Sequence, residues 1–422
     1  MTRLYNQSRF DTVLDWLFLA LVFSLGFMQP AIIIVGFSVT ITDGLFLITG
    51  LIWSIALLLR TRNFTYDPAF YIFAFYAAVL LLSTIFSEDP RLSVRKLPAE
   101  LYLIGLAVLT VNAVNSRKML RKVVIAWLAA SAVTTIAGTI TVASYYLGKA
   151  NFVTDFSMHH YGSLPPGYYP RIQSTFLYPS LLCNYLTVST MMLLAALNLG
   201  WISSRVFGLL ALLFAITIAF TLTPGIGGVI LAIGVWYWLV PAVHKAVKGR
   251  VALAGGTSAA VVFLLVSTFS LLPSPTSPYF FELGAVHLEP TQRLLTWQGA
   301  AETFLRQPFF GRGLGLAAAS VTFMPPSGQM QLLTDAHNAF LSVAAQAGIF
   351  GLTGFVLIVV SVGRRAFSDP KEKLLTALGI AFISALVYQG LVGSFENARH
   401  IWVLMGLILA VSRIPIAEAN AA

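Results

Sequence analysis

The chain has 422 residues, of which 58% are hydrophobic and 10% charged, with a net charge of +10. A soluble domain carries roughly 25% charged residues, so a soluble globular protein is excluded. The polar/apolar alternation of a membrane β-barrel is missing as well. The positive balance needs no nucleic acid, because basic residues collect in the cytoplasmic loops of membrane proteins.

Repeated apolar runs predict an all-α fold, a polytopic membrane helical bundle of about twelve transmembrane helices, each about 20 residues long. The first run starts at Val13, after Arg3 and Arg9. No small-residue cleavage site follows, so it reads as an uncleaved helix. Gln29-Pro30 ends it, and the apolar stretch 31–40 is a re-entrant piece or an extension. Further spans are expected at 42–59, 68–86, 97–114 and 123–147, with Glu88-Asp89 before Pro90 as a helix stop. A polar segment, 148–174, contains Pro165-Pro166-Gly167 and ends near Arg171. Spans at 175–198, 203–222, 225–243 and 251–272 follow. Cys183, the single cysteine, lies in the first of these, so no intramolecular disulfide can form and no redox or metal use is suggested.

The largest extramembrane segment is 273–336. Within it, Thr291 to Leu305 has apolar residues at Leu294, Trp297, Ala301 and Leu305, the spacing of a helix lying on the outer membrane surface or capping the bundle. Gln307-Pro308 ends that helix, and Gly311-Arg312-Gly313-Leu314-Gly315 makes a flexible turn. Spans at 338–362, 374–393 and 400–412 complete the chain. The organisation expected is therefore 1–272 with about nine helices, 273–336 as a large periplasmic loop with a surface helix, and 337–422 with the final helices. No internal repeat is visible.

The basic groups around Arg60, Arg117 to Lys122, Lys245 to Arg250 and Arg364 to Lys373 put the N- and C-termini in the cytoplasm. That rule leaves Arg91, Arg95, Lys96, Lys149, Arg171, Arg293, Arg306, Arg312 and Arg399 on the outer side. Arginine presents a fixed, always-charged fork that suits phosphate; lipid-facing snorkelling is the plainer alternative for each.

Asp335-Ala336-His337-Asn338 lies where the long outer segment gives way to an apolar helix. An ionisable group at such a boundary marks a functional site. An imidazole there can serve as a general base near neutral pH, with Asp335 or Asn338 fixing its tautomer. His159, His160, His244, His287 and His400 read as polar interface residues. Gly348 and Gly351 are spaced for close helix packing. No H-E-x-x-H, C-x-x-C, Walker or dinucleotide motif is present, so no cofactor and no metal are expected.

These residues carry a resemblance. His337-Asn338, nine residues, then Gly348-x-x-Gly351 resembles the histidine signature of the O-antigen ligase and polymerase superfamily, bacterial membrane glycosyltransferases of the GT-C type. Arg293-x-x-x-Trp297 followed by Pro308-x-x-Gly311-x-Gly313-x-Gly315 resembles the loop upstream of that histidine. Arg171 to Phe176 with Pro179, Ser83 to Ser87 with Asp89-Pro90, and Arg399 to Trp402 resemble further segments.

The resemblance implies periplasmic transfer of a glycan from undecaprenyl pyrophosphate, at the bacterial inner membrane, to an acceptor hydroxyl. The acceptor is lipid A–core for a ligase, or another lipid-linked glycan for a polymerase. It implies catalytic roles for His337 and Arg293, substrate binding by Arg171, Arg312, Arg399 and Asn338, and no metal. One departure stands out. The family carries Ser-Arg-Gly at the end of a middle helix, but here Thr221-Leu222-Thr223-Pro224-Gly225-Ile226-Gly227-Gly228 has no arginine. A helix N-terminus at Gly225 and Gly227 could bind the anion instead, or these glycines serve packing alone. If the first holds, an arginine at Gly225 should be accommodated. A small-anion transporter is the alternative from another class; Pro30 and Pro224-Gly225 are the interruptions that favour it.

Overall fold

The helix boundaries follow from local chemistry. The computed structural model describes residues 2–34, 37–149, 152–161, 169–223, 225–239, 269–272, 281–284, 286–290, 292–323, 330–369, 372–392 and 398–414. Its helices are α1 (Thr2–Ser24), α2 (Ile41–Leu58), α3 (Ala69–Ile85), α4 (Pro90–Ala113), α5 (Arg117–Tyr146), α6 (Phe152–Ser157), α7 (Pro179–Asn198), α8 (Ser204–Thr221), α9 (Gly225–Leu239), α10 (Gln292–Arg306), α11 (Ala339–Ala366), α12 (Lys373–Val392) and α13 (Arg399–Val411). Asp89 caps α4 through the Arg91 and Leu92 N–H groups, with Pro90 in the first turn. Ser116 caps α5 and Ser203 caps α8. Each cap satisfies amide groups that the first helical turn leaves open.

Every apolar run expected to span therefore has a described helix except 251–272. Residues 251–268 lie outside the described residues, as do His244 and the basic group near it, and 269–272 form a strand. Among the described residues five helices (α2, α5, α7, α8 and α11) are long and apolar enough to cross a bilayer, and α3, α9, α12 and α13 contain shorter apolar stretches. The chain is thus a mostly helical, polytopic membrane protein. The 31–40 stretch does not extend α1: Ile32–Ile34 pairs antiparallel with Phe37–Val39.

The core is built around α7, α12 and α13, with α4 against α13. Every residue of α13 from His400 to Val411 is buried. A Cβ on Gly406 would stand 2.7 Å from the Ala107 carbonyl oxygen of α4, so only glycine permits this close crossing. His400 is one of the buried polar groups; its Nε2 lies 2.7 Å from Asn184 Oδ1. The outer helices α2 and α8 expose Leu47, Leu51, Leu58, Leu209 and Leu212, as helices facing lipid do.

The two ends of the bundle differ. Arg365, at the end of α11, and Arg413 both approach the buried carboxylate of Asp67, at 3.8 and 3.9 Å. Arg62 pairs with Asp11 and Asp15, and Arg117 with Glu372. These residues gather at the end expected to be cytoplasmic. The other end carries His337, at the start of α11.

Candidate active site

His337 does not lie in the first turn of α11. It precedes the cap in a left-handed conformation, φ 47°, a region that non-glycine residues seldom occupy. Asp335 holds it there. One carboxylate oxygen accepts the His337 N–H at 2.9 Å, and the other stands 3.5 Å from Nδ1. The imidazole is about half exposed, with Nε2 on the side away from that carboxylate contact. Asn338 has a different task from Asp335. Its side-chain oxygen accepts the Phe340 and Leu341 N–H groups and caps α11, so that oxygen is committed to the helix.

Behind His337, α11 breaks. Gly348 has φ 66° and ψ −165° inside the helix. In an unbroken helix the carbonyls of Ala345 and Gln346 would accept from residues four later. Here they accept from the Arg312 N–H at 2.8 Å and the Gly313 N–H at 3.0 Å, while the Ile349 N–H donates to Pro308. The glycine-rich segment is therefore a wedge set into α11 rather than a flexible turn. Gly311, Gly313 and Gly315 all have positive φ. A Cβ on Gly348 would fall 2.2 Å from the Phe309 carbonyl oxygen. Gly351 answers to the same break, since its Cβ would meet that of Ala347 at 2.3 Å. The Gly348-x-x-Gly351 spacing thus serves the wedge, not a helix–helix contact.

The wedge also decides where Arg312 goes. Its guanidinium pairs with Glu88, which accepts from Gln307 as well, and its carbonyl accepts the Glu88 N–H. Arg399 is likewise held by a carboxylate. It makes a two-point pair with Asp43, both contacts 3.0 Å, and lies over the Tyr102 ring. Asp43 in turn closes the capping box of α2 with Thr40.

Arg171 and Arg293 have other surroundings. Arg171 ends a hairpin, Met158–Tyr161 with Tyr169–Ile172, that lies over α5 and α8. Ile172 is buried against Gly138, and Ser174 anchors the turn by donating to the Thr134 carbonyl. Arg171 Nε then donates to the Thr221 carbonyl at 3.1 Å. This is the junction of α8 and α9, where the sequence has no arginine of its own. A guanidinium from another part of the chain reaches that place.

Beyond it lie Thr223, Ser180 and the Tyr388 hydroxyl, with Arg293 near enough to this phenol to act on it electrostatically. The Tyr388 hydroxyl is buried and, among the described residues, has no hydrogen-bond partner of ordinary geometry. Nothing local in the sequence marks Tyr388, because one tyrosine in an apolar run carries no signal.

The start of α10 ties Arg293 to His337. The Thr296 hydroxyl donates to the Arg293 carbonyl at 2.9 Å and reaches the Ala336 carbonyl at 3.3 Å. The face of α10 that packs most closely is Thr296, Gly299 and Ala300; Leu294, Trp297 and Ala301 are half-buried, and Leu305 is exposed. Small residues win because α10 lies close against Ala319 and Val321.

Gly225 and Gly227 sit at the start of α9, both buried. At Gly225 packing decides: a Cβ would stand 2.8 Å from Cys183 Sγ and 3.2 Å from Tyr388 Cζ. An arginine there has no room, contrary to the expectation from sequence. At the start of α9 the Ile226 N–H donates back to the Thr223 carbonyl at 3.2 Å; a helix N-terminus has further N–H groups without intrahelical partners. Among the described residues no three metal-ligating side chains cluster.

Residues 190–356 match the family described as O-Antigen ligase. The matched stretch contains the α8–α9 junction, Arg293, the wedge, His337 and the break at Gly348, whereas Arg171 and Arg399 lie outside it. No curated protein matches the chain. The wedge and histidine lie within this one matched stretch, and it is through that stretch that the chain is similar to the O-antigen ligase family.

Proposed function

We propose that the protein transfers a glycan from undecaprenyl pyrophosphate to an acceptor hydroxyl at the periplasmic face of a bacterial inner membrane, with both termini cytoplasmic. The acceptor is lipid A–core; the end of a second lipid-linked glycan is the polymerase alternative within the same superfamily. The observation that carries this reading is the pairing of elements at one end of the bundle. His337 stands out of helix register on Asp335, and Arg171, Tyr388 and Arg293 gather around the α8–α9 junction.

The acceptor oxygen attacks the anomeric carbon as the bond from that carbon to the pyrophosphate oxygen breaks. His337 Nε2 takes the acceptor proton, and Asp335 stabilises the imidazolium through Nδ1. The leaving pyrophosphate gains negative charge, which Arg171, Arg293, the Tyr388 O–H and the α9 N-terminus stabilise. Arg312 and Arg399, each on a carboxylate, hold the frame. No step calls for a metal or a cofactor.

The test is an assay in membranes with lipid-linked glycan and acceptor. His337→Ala should insert normally yet lose about 10²–10⁴-fold in rate, as removal of a general base does. Arg171→Ala and Arg293→Ala should raise the donor KM more than the lysine variants do. Activity should persist in excess EDTA. Wild-type transfer by His337→Ala would sink the proposal, and a product lengthened on its lipid carrier would identify a polymerase.

A further inference from the structure

We infer that the groove between α1, α2 and α5 is a binding site for an anionic glycerophospholipid. The groove is open, of about 980 Å³, at the upper end of the ~300–1,000 Å³ typical of small-molecule sites. Two helices running in the same direction wall it. The α1 wall is a stripe from Trp16 to Phe27 and the α5 wall a stripe from Lys118 to Ala129, both at i, i+3, i+4 spacing, with Ile41 and Leu45 of α2 at the far end. From Lys118 to Ala129 is about 16 Å of helix, close to half the ~30 Å hydrocarbon thickness of a bilayer. The groove therefore has the length of one leaflet.

Its chemistry is divided along that length. Lys118, Arg121 and Lys122 stand at one end, and nearly everything beyond them is aliphatic or aromatic. All three are exposed, and none pairs with a carboxylate among the described residues. Their neighbour Arg117 does pair, with Glu372, and Arg62 is held by Asp11 and Asp15. Ordinary clustering of basic residues on one face would not distinguish these cations from the paired ones. A phosphate headgroup on the triad, with acyl chains along the apolar walls, satisfies both parts of the groove; basic pockets between transmembrane helices bind anionic headgroups in this way.

The site is separate from the proposed transfer site. Arg117, which neighbours the triad, pairs with Glu372, beyond the C-terminal end of α11, whereas His337 precedes its first residue. That helix is about 40 Å long. The inference therefore stands whether or not the transfer reaction is as proposed.

The experiment compares the full-length protein with two variants in detergent, by native mass spectrometry and by thermal denaturation with added phosphatidylglycerol or phosphatidylcholine. Wild type should retain phosphatidylglycerol through purification and be stabilised by it, with little response to phosphatidylcholine. Lys118→Gln/Arg121→Gln/Lys122→Gln should lose this preference. Ala20→Trp/Ala129→Trp keeps the charges and fills the groove; it should lose retained lipid as well. Equal responses to both lipids in wild type would overturn the site, and so would a preference that survives in either variant. Displacement of phosphatidylglycerol by equimolar undecaprenyl phosphate would assign the groove to the lipid carrier and overturn the assignment to a glycerophospholipid.

Discussion

Two regions at the His337 end use glycine and arginine to different ends. In the wedge, Arg312 and the Gln307 amide group donate to Glu88, Gln346 accepts from the Gly315 N–H, and the Arg312 and Gly313 N–H groups fill the broken backbone of α11, with Gln307 Oε1 left unpartnered among the described residues. At the α8–α9 junction a guanidinium rests on the Thr221 carbonyl, and the buried Tyr388 hydroxyl, beside Thr223 and Ser180, makes no hydrogen bond of ordinary geometry among the described residues. Buried polar groups are nearly always hydrogen-bonded, so an exception asks for an explanation. The first region is a joint of backbone and side-chain hydrogen bonds in the helix that His337 precedes. The second gathers Arg171 and the Tyr388 hydroxyl at one junction. An arginine near a proposed active site is thus not a ligand-binding residue by location alone; what its guanidinium already holds decides.

The largest effect is expected at the wedge. Gly348→Val should prevent accumulation of folded protein, because a β-branched residue is forced into φ 66° and its Cβ onto the Phe309 carbonyl. Strain of this kind costs about 1–3 kcal/mol before the clash is added. Size-exclusion profiles and yield would register it, and a monodisperse, active variant would refute the joint.

Next in size is Arg399→Ala. It strips a largely buried Asp43 of its two-point partner, a change that typically costs about 3–5 kcal/mol. Thermal denaturation should show the loss, while the donor KM of the protein that remains folded stays near wild type. A large rise in donor KM with unchanged stability would return Arg399 to the ligand-binding set.

Tyr388→Phe sharpens the contrast from the other side. Removing a hydroxyl that makes no hydrogen bond of ordinary geometry among the described residues should change stability little. If that hydroxyl meets the pyrophosphate, donor binding should weaken by roughly tenfold, the worth of about one hydrogen bond to a charged group. Unchanged donor kinetics would remove Tyr388 from the site.

The smallest effect is expected for Glu88→Gln. The pair with Arg312 is partly exposed, and such pairs contribute about 0–1 kcal/mol. A small fall in melting temperature with no change in donor KM would agree with a frame role; a clear KM change would not.

The sequence by itself determined much of this protein. Runs of apolar residues and their caps locate the helices, because hydropathy and capping are properties of neighbouring residues. The same local reading marks His337 at the boundary before α11 and Gly348-x-x-Gly351 downstream. Tertiary structure decided what those residues do. Asp43 and Arg399 are 356 positions apart, and Glu88 and Arg312 are 224 apart, so nothing local in the sequence announces either pair. The break at Gly348 exists only because a segment more than thirty residues upstream supplies the N–H groups that its freed carbonyls need. Arg171 reaches the Thr221 carbonyl across 50 positions, filling a place that in the chain itself has no arginine. Periodicity reports which way a residue faces; only the packed bundle determines which partner it meets.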